Sequence, residues 1–179
     1  LGVDLQVRGE DGALLPHDGV SSGKLTVRGP AVASAYFGGQ RGDALDDNGE
    51  FDTGDIATID PQGFMRITDR AKDVIKSGGE WISSIDIENL VVAHPAVALA
   101  AVIGMPHPKW DERPFLVVQL KPGAQATRDE MLDFLKDKIA KWWMPDDVAF
   151  VDSVPLGPTG KIDKKLLRAR FGGQSASAA

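Results

Sequence analysis

The chain has 179 residues, 42% hydrophobic and 26% charged, and a formal net charge of −6; this is ordinary globular composition, against disorder, with room for one medium domain or two small ones. The absence of cysteine excludes disulfides and thiolate metal sites, and His17, His94 and His107 stand too far apart in sequence for a zinc cluster. Charge is divided unevenly, with 12 acids against 5 bases in residues 1–69 and 14 against 15 in residues 70–179, which points to two units.

From the N-terminus, short strands alternate with turn chemistry. Val3, Leu5 and Val7 alternate, as do Leu25 and Val27, and "EDG" and "HDGVSSG" supply turns. The clearest hairpin is "IATIDPQGFMRIT": Ile56 to Ile59 and Phe64 to Thr68 flank Asp60-Pro61-Gln62-Gly63, where proline presets one turn dihedral and glycine accepts the other. The chain opens on strand-like "VDLQV" with neither a Met nor a signal-peptide pattern, and no apolar run reaches the length of a membrane span. A piece of a longer, cytoplasmic protein is the expectation.

After Asp69 the period changes. Ser83 or Ser84 caps a predicted helix with Asp86 and Glu88 in its first turn, Ile87, Leu90 and Val91 on one face, and Pro95 beyond its end. "VALAAVI" and "FLVVQL" read as short buried strands. Thr127-x-x-Glu130 is a capping box opening a helix with Met131, Phe134, Leu135, Ile139 and Trp142 on one stripe, stopped by Pro145. "VAFV" gives another strand, and Asp163 caps a last helix reaching Phe171. The basic run Lys161, Lys164, Lys165, Arg168 and Arg170 reads as a solvated helix face. Trp110, Trp142 and Trp143 read as packing residues, and His94 as a cation at a helix C-terminus. Residues 173–179 read as a disordered tail.

"PLGPTGK" ends on a Gly160-Lys161 pair like that of a phosphate-binding P-loop, but Pro155 stands where the first glycine belongs and Ile162 where a hydroxyl must hold Mg2+. A surface turn before the last helix remains for this stretch. Three further polar clusters precede it: "FDTGD" (51–55), "DRAKD" (69–73) and "KSGGEW" (76–81). In this order, and joined by "AVIGMPHPKWDERP" and "KWWMPDDVAFVDSVP", the clusters closely resemble the C-terminal third of the acyl-CoA synthetases, AMP-forming enzymes of the adenylate-forming superfamily. "SGGEWISS" resembles the medium- and long-chain fatty acyl branch more than the peptide-synthetase branch.

The resemblance implies an α+β fold. Residues 1–69 would be a β-rich remnant of the large N-terminal domain, a small distorted barrel or antiparallel sheet. Residues 70–172 would be a mobile C-terminal domain with a short sheet flanked by about three helices. It also implies a reaction: a carboxylate attacks Mg-ATP to give acyl-adenylate and pyrophosphate, and the CoA thiol then displaces AMP. ATP, Mg2+ and CoA are the implied cofactors, with no protein-held metal, no nucleic acid and no membrane span. Asp55 would bind the ribose hydroxyls, for which a carboxylate has the two acceptor oxygens needed. Arg70 would add donors to ribose or phosphate, Lys72 would be the hinge, and Lys161 would meet the charge that gathers on the α-phosphate. Ser77, Gly78, Gly79, Glu80 and Trp81 would frame the pantetheine of CoA. More modest roles stand beside these: an Asp55 that caps its own turn, an Arg70 paired with Asp69 or Asp73, a solvent-facing Lys72, and a "SGGE" that is a tight turn between strand and helix. The phosphate-binding loop and acyl pocket of the family are missing from this sequence, so the fragment alone is expected to be inactive. An aryl-acid ligase, a peptide-synthetase-like enzyme and a non-enzymatic binding module using residues 161–170 are the alternatives; net acidity and a single tyrosine weigh against the last.

Overall fold

The computed structural model describes residues 2–35, 37 and 44–172; the tail at 173–179 lies outside the described residues. The chain divides into two compact units, Leu1–Lys72 and Asp73–Ala179.

In the first unit, strands β1 (Asp4–Arg8), β2 (Gly23–Arg28), β3 (Phe51–Ile59) and β4 (Met65–Arg70) form an antiparallel sheet in chain order. Val7, Leu25, Ile56, Ala57 and Ile59 are buried. The expected β3–β4 hairpin is present. The Asp60 carboxylate accepts the amides of Gln62 and Phe64, both at 2.9 Å, and Gly63 takes the positive φ of 87° that the turn requires. The antiparallel-sheet expectation holds and the barrel does not: among the described residues β1 pairs with no strand but β2 and β4 with none but β3, so the sheet stays open. Closure would need hydrogen bonds between the first and last strands.

The second unit holds a five-stranded mixed sheet: β5 (Ile75–Ser77), β6 (Glu80–Ile82), β7 (Val97–His107), β8 (Asp111–Leu120) and β9 (Asp147–Phe150). The order is β6-β5-β8-β7, with β9 running parallel beside β8. Helices α1 (Ser84–Val92), α2 (Arg128–Leu135) and α3 (Lys164–Phe171) complete it. The unbroken apolar runs of β7 and β8 are explained by burial on both faces. Ala100, Val102, Leu116 and Val118 meet Ile87 and Val91 of α1 and Met131 and Leu135 of α2. Ala101, Ile103 and Val117 meet Leu167 and Phe171 of α3 on the other side. α+β is therefore the fold class, with three helices flanking a short sheet.

Several local expectations are corrected. β7 and β8 are longer than their apolar runs, because they pair from Val97↔Leu120 to His107↔Asp111, with one irregularity between Val97 and Leu99, and each supports the polar end of the other. Ser83 is the α1 cap, accepting the Asp86 amide, but Glu88 lies in the second turn, where its carboxylate accepts the Val102 amide at 2.7 Å. The capping box of α2 forms, yet the helix stops at Leu135. Asp137 adopts φ 64°, and a separate 3₁₀ turn covers Lys141–Trp143, so Ile139 still reaches the core while Trp142 does not. The basic face of α3 is only partly solvated. Lys164, 9% exposed, sits 2.7 Å from the Glu88 carboxylate and 2.5 Å from the Ser84 hydroxyl, and Arg168 reaches Asp73 at 3.0 Å. His94 closes the turn after α1, its Nδ1 accepting the Ala96 amide at 3.2 Å.

Candidate functional site

In the first unit the register pairs Asp55 of β3 directly with Arg70 of β4. Arg70 Nε donates to Asp55 Oδ1 at 2.9 Å, with the carboxylate mostly covered and the guanidinium half exposed. Asp55 caps nothing. The turn at Gly54 (φ 73°) is held by Asp52, whose carboxylate accepts the Gly54 amide at 2.8 Å. Asp69 accepts the Arg70 backbone amide at 2.7 Å, and within the second unit Asp73 pairs with Arg168. Asp55 and Arg70 thus form one polar pair at the end of a hairpin, with a guanidinium edge left toward solvent. Lys72, the last residue of this unit, is exposed.

In the second unit Gly78 and Gly79 connect β5 to β6. Their φ values of 62° and 87° are both positive, the signature of a two-residue type I′ hairpin turn that matches strand twist. The expected strand-to-helix turn is therefore a strand-to-strand turn. The Gly78 amide donates to the Trp110 carbonyl at 2.8 Å, and a Cβ on Gly78 would come within 2.8 Å of the Trp110 ring, whereas one on Gly79 would meet nothing within 4 Å. Trp110 thus closes over Gly78, and Gly79 faces open space.

That turn borders a cleft of about 610 Å³ lined by Ser77, Gly78, Glu80, His107, Trp110, Arg113, Trp142 and Asp146. Ser77 and Glu80 are cross-strand partners and share a face; the next pair, Lys76 and Trp81, alternates to the other. The structure therefore brings Ser77, Gly78 and Glu80 together at the cleft but does not bring Trp81 there; Trp81 carries the Lys76 ammonium 6.0 Å from its ring centre. His107 Nδ1 accepts the amides of Lys109 and Trp110 (3.1 and 3.2 Å), which leaves Nε2 to hold the ring proton. Trp110 and Trp142 are each 43% exposed on the cleft wall, outside the core, Trp110 packing on Gly78 and Trp142 edge-on to Trp143 at 5.7 Å; Trp143 packs against the core. Sequence reading missed His107, Arg113 and Asp146. For His107 and Arg113 the signal was the density of polar and aromatic residues in "PHPKWDER", which a strand buried on both faces would not tolerate.

Lys161 is not a wall residue of this cleft. It leaves a short hairpin closed by the Leu156↔Ile162 bridge, with the Gly157 amide donating to the Lys161 carbonyl at 2.7 Å and Gly160 at φ 77°. The backbone there is held, while the side chain is exposed and makes no ion pair among the described residues. Also among the described residues, no three His, Asp or Glu side chains are placed to hold a metal ion, and no helix is long and apolar enough to cross a membrane.

Comparison with known proteins bears on what these features serve. Residues 86–161 match the family profile of the AMP-binding enzyme C-terminal domain. The chain is 55% identical over 170 residues to 3-methylmercaptopropionyl-CoA ligase of Ruegeria lacuscaerulensis, covering 95% of this chain and 31% of that one. It is 48% identical to medium-chain-fatty-acid–CoA ligase of Ectopseudomonas oleovorans, covering 96% and 31%. Among solved structures, ATP-bound MatB from Rhodopseudomonas palustris superposes with a TM-score of 0.84 at 34% identity, over 96% of this chain and 34% of that one. The chain thus spans about a third of the length of the curated relatives it matches.

Proposed function

The chain belongs to the adenylate-forming acyl-CoA ligases and carries their AMP-binding C-terminal domain, and from that premise we propose that it is the C-terminal portion of a ligase joining an aliphatic carboxylic acid to CoA. In the first step the acid's carboxylate attacks the α-phosphate of ATP, the bond to pyrophosphate breaks, and an acyl-adenylate forms. In the second the CoA sulfur attacks the acyl carbon, its proton is lost, and AMP leaves.

Asp55 receives the ribose hydroxyls on its carboxylate while Arg70, held beside it at 2.9 Å, turns its remaining donors to ribose or phosphate. Lys161 presents an ammonium on a flexible stem where charge gathers during the first step. Mg2+ would enter with ATP as part of the nucleotide substrate. Pantetheine runs against the Gly78–Gly79 turn, with Ser77 and Glu80 beside it and Trp81 bracing the hairpin from its other face. Lys72 acts as the hinge between an end piece of the N-terminal domain (residues 1–69) and a mobile C-terminal domain (70–172). The location in this reading is cytoplasmic.

The observation that carries the reading is the Gly78–Gly79 turn, built from two positive-φ glycines at the rim of an indole-lined cleft, while the exposed lysine sits on a separate hairpin. One surface offers room for a thiol-bearing chain and the other a charge. On the acid, a medium- or long-chain fatty acid is our first reading, supported by the 48% identity to the medium-chain ligase. 3-Methylmercaptopropionate is the second, supported by the 55% identity to the ligase named for it. Pyrophosphate exchange by the whole ligase with octanoate, palmitate, 3-methylmercaptopropionate, benzoate and amino acids decides between them. Lys161→Ala tests the mechanism. Adenylate formation is expected to fall by about 10²-fold or more, as for loss of one preorganised charge partner, while conversion of supplied acyl-adenylate to acyl-CoA holds. Equal damage to both steps overturns the assignment.

A further inference from the structure

We propose that Arg113 is a positioning residue for the thioester-forming step, a guanidinium that fixes the width of the cleft by tying its two walls together; this rests on the CoA reading above. The two walls are anchored to β8 separately. On one side β5 pairs at Ser77↔Asp111, with the Gly78 amide on the Trp110 carbonyl at 2.8 Å and the Lys76 amide on the Glu112 carboxylate at 3.1 Å; on the other, the wall carrying Trp142 is a 3₁₀ turn and its exit, outside any strand. Arg113 projects from β8 between them. Its Nη1 donates to the Ser77 hydroxyl at 3.2 Å on one wall and to the Trp142 carbonyl at 2.6 Å on the other. Nη2 donates to the Met144 carbonyl at 2.8 Å, and Nε to Asp146 Oδ1 at 2.9 Å.

The planar fork matters here. Four contacts from three nitrogens of one rigid plane set the separation of Ser77 from Trp142, which a single ammonium on a flexible stem cannot do. The carbonyls of Trp142 and Met144 belong to a short helical turn whose last acceptors have no partner within the turn itself, so the guanidinium also supplies what local structure cannot. Its side chain is 15% exposed, and the bonds to Ser77 and Met144 are partly buried while those to Trp142 and Asp146 lie at the exposed rim. Ser77 directly precedes Gly78, and the bond therefore acts on the glycine turn; the bonds to 142 and 144 act on the indole opposite. Arg113 touches the cleft's frame and serves the reaction through it.

The test uses the whole ligase and the acyl-adenylate of whichever acid supports pyrophosphate exchange, with variants Arg113→Lys and Arg113→Met. A misplaced binding wall is expected to raise KM for CoA about 10-fold or more, in both variants and more in Arg113→Met, with the kcat of adenylation within about twofold of wild type because that step does not use the cleft. A purely structural role would lower both half-reactions together with the folded fraction, and that outcome overturns the proposal, as does an unchanged KM for CoA in Arg113→Lys. Should Arg113→Met fail to fold, Arg113→Lys and acrylamide quenching of Trp142 in the 179-residue chain carry the test. Quenching that rises in Arg113→Lys supports the clamp, and quenching that stays the same refutes it. A wild-type ligase that makes adenylate but never transfers it to CoA overturns the underlying reading and this inference with it; transfer by wild type with indifferent Arg113 variants overturns the inference alone.

Discussion

Alanine at Gly78 and alanine at Gly79 look alike in sequence and are expected to differ in the folded chain. Both glycines have positive φ, 62° and 87°, so any Cβ costs about 1–2 kcal/mol through its clash with the backbone in the left-handed region. At Gly79 that is the whole cost, since nothing lies within 4 Å of the added carbon. At Gly78 the carbon meets Cε3 of Trp110 at 2.8 Å, closer than real contacts allow, so the ring must move. Overpacking costs about 1–3 kcal/mol, and because Trp110 is 43% exposed the ring can swing outward, which puts the extra term near the low end. The expected destabilisation is therefore about 2–3 kcal/mol for Gly78→Ala against about 1–2 kcal/mol for Gly79→Ala. Thermal melts resolve this difference, at about 4–8 °C per kcal/mol for a domain near 100 residues. Trp110 emission, isolated by subtracting a Trp110→Phe background, is expected to shift only for Gly78→Ala. Equal melting temperatures together with unchanged emission would mean that Trp110 does not close over Gly78, and the account of the cleft wall would fail.

Lys164→Met removes the ammonium that bridges Glu88 and Ser84 between α3 and α1, and breaking a buried pair of this kind is expected to cost about 3 kcal/mol in denaturant unfolding; a loss under about 1 kcal/mol would show that solvent replaces the contact easily. In the first unit, Arg8 holds the Glu50 carboxyl well below its ordinary 4.5, at about 2, through hydrogen bonds at 2.8 and 2.6 Å, helped by the Thr26 hydroxyl against the opposing effect of burial. A depressed folded-state value contributes stability that is complete above about pH 4.5 and is lost as pH falls toward 2. Arg8→Gln is accordingly expected to flatten the stability profile across that window, and an unaltered acid limb in the variant would assign the acid sensitivity to other groups.

Sequence alone determined the elements whose cause is local. The capping box Thr127 to Glu130, the Asp163 cap, a serine cap at 83 or 84 and the Asp60–Gly63 hairpin each rest on a side chain meeting a backbone group within four residues, so spacing suffices to find them, although only the structure chose Ser83. The family was legible too, because its polar clusters stand in order along the chain and most match side chains that are exposed or at turns. The failures concern partners far away in sequence. The α2 stripe ran on to Trp142 on paper, but only the core could show that the helix ends at Leu135. The basic run at 161–170 read as one solvated face, yet Lys164 is drawn inward by Glu88 and Ser84, 76 and 80 positions earlier. Trp110 and Trp142 look like core residues in any window, since an indole's hydrophobicity does not say which wall it will line. Arg113 stands inside "AVIGMPHPKWDERP", where nothing local says what its side chain meets. Its role depends on strand pairing that puts β8 beside Ser77 and on a turn near residue 142 that leaves carbonyls unanswered. Local chemistry fixes turns and caps; a cleft is made where segments distant in sequence converge, and only tertiary packing decides which side chains face into it.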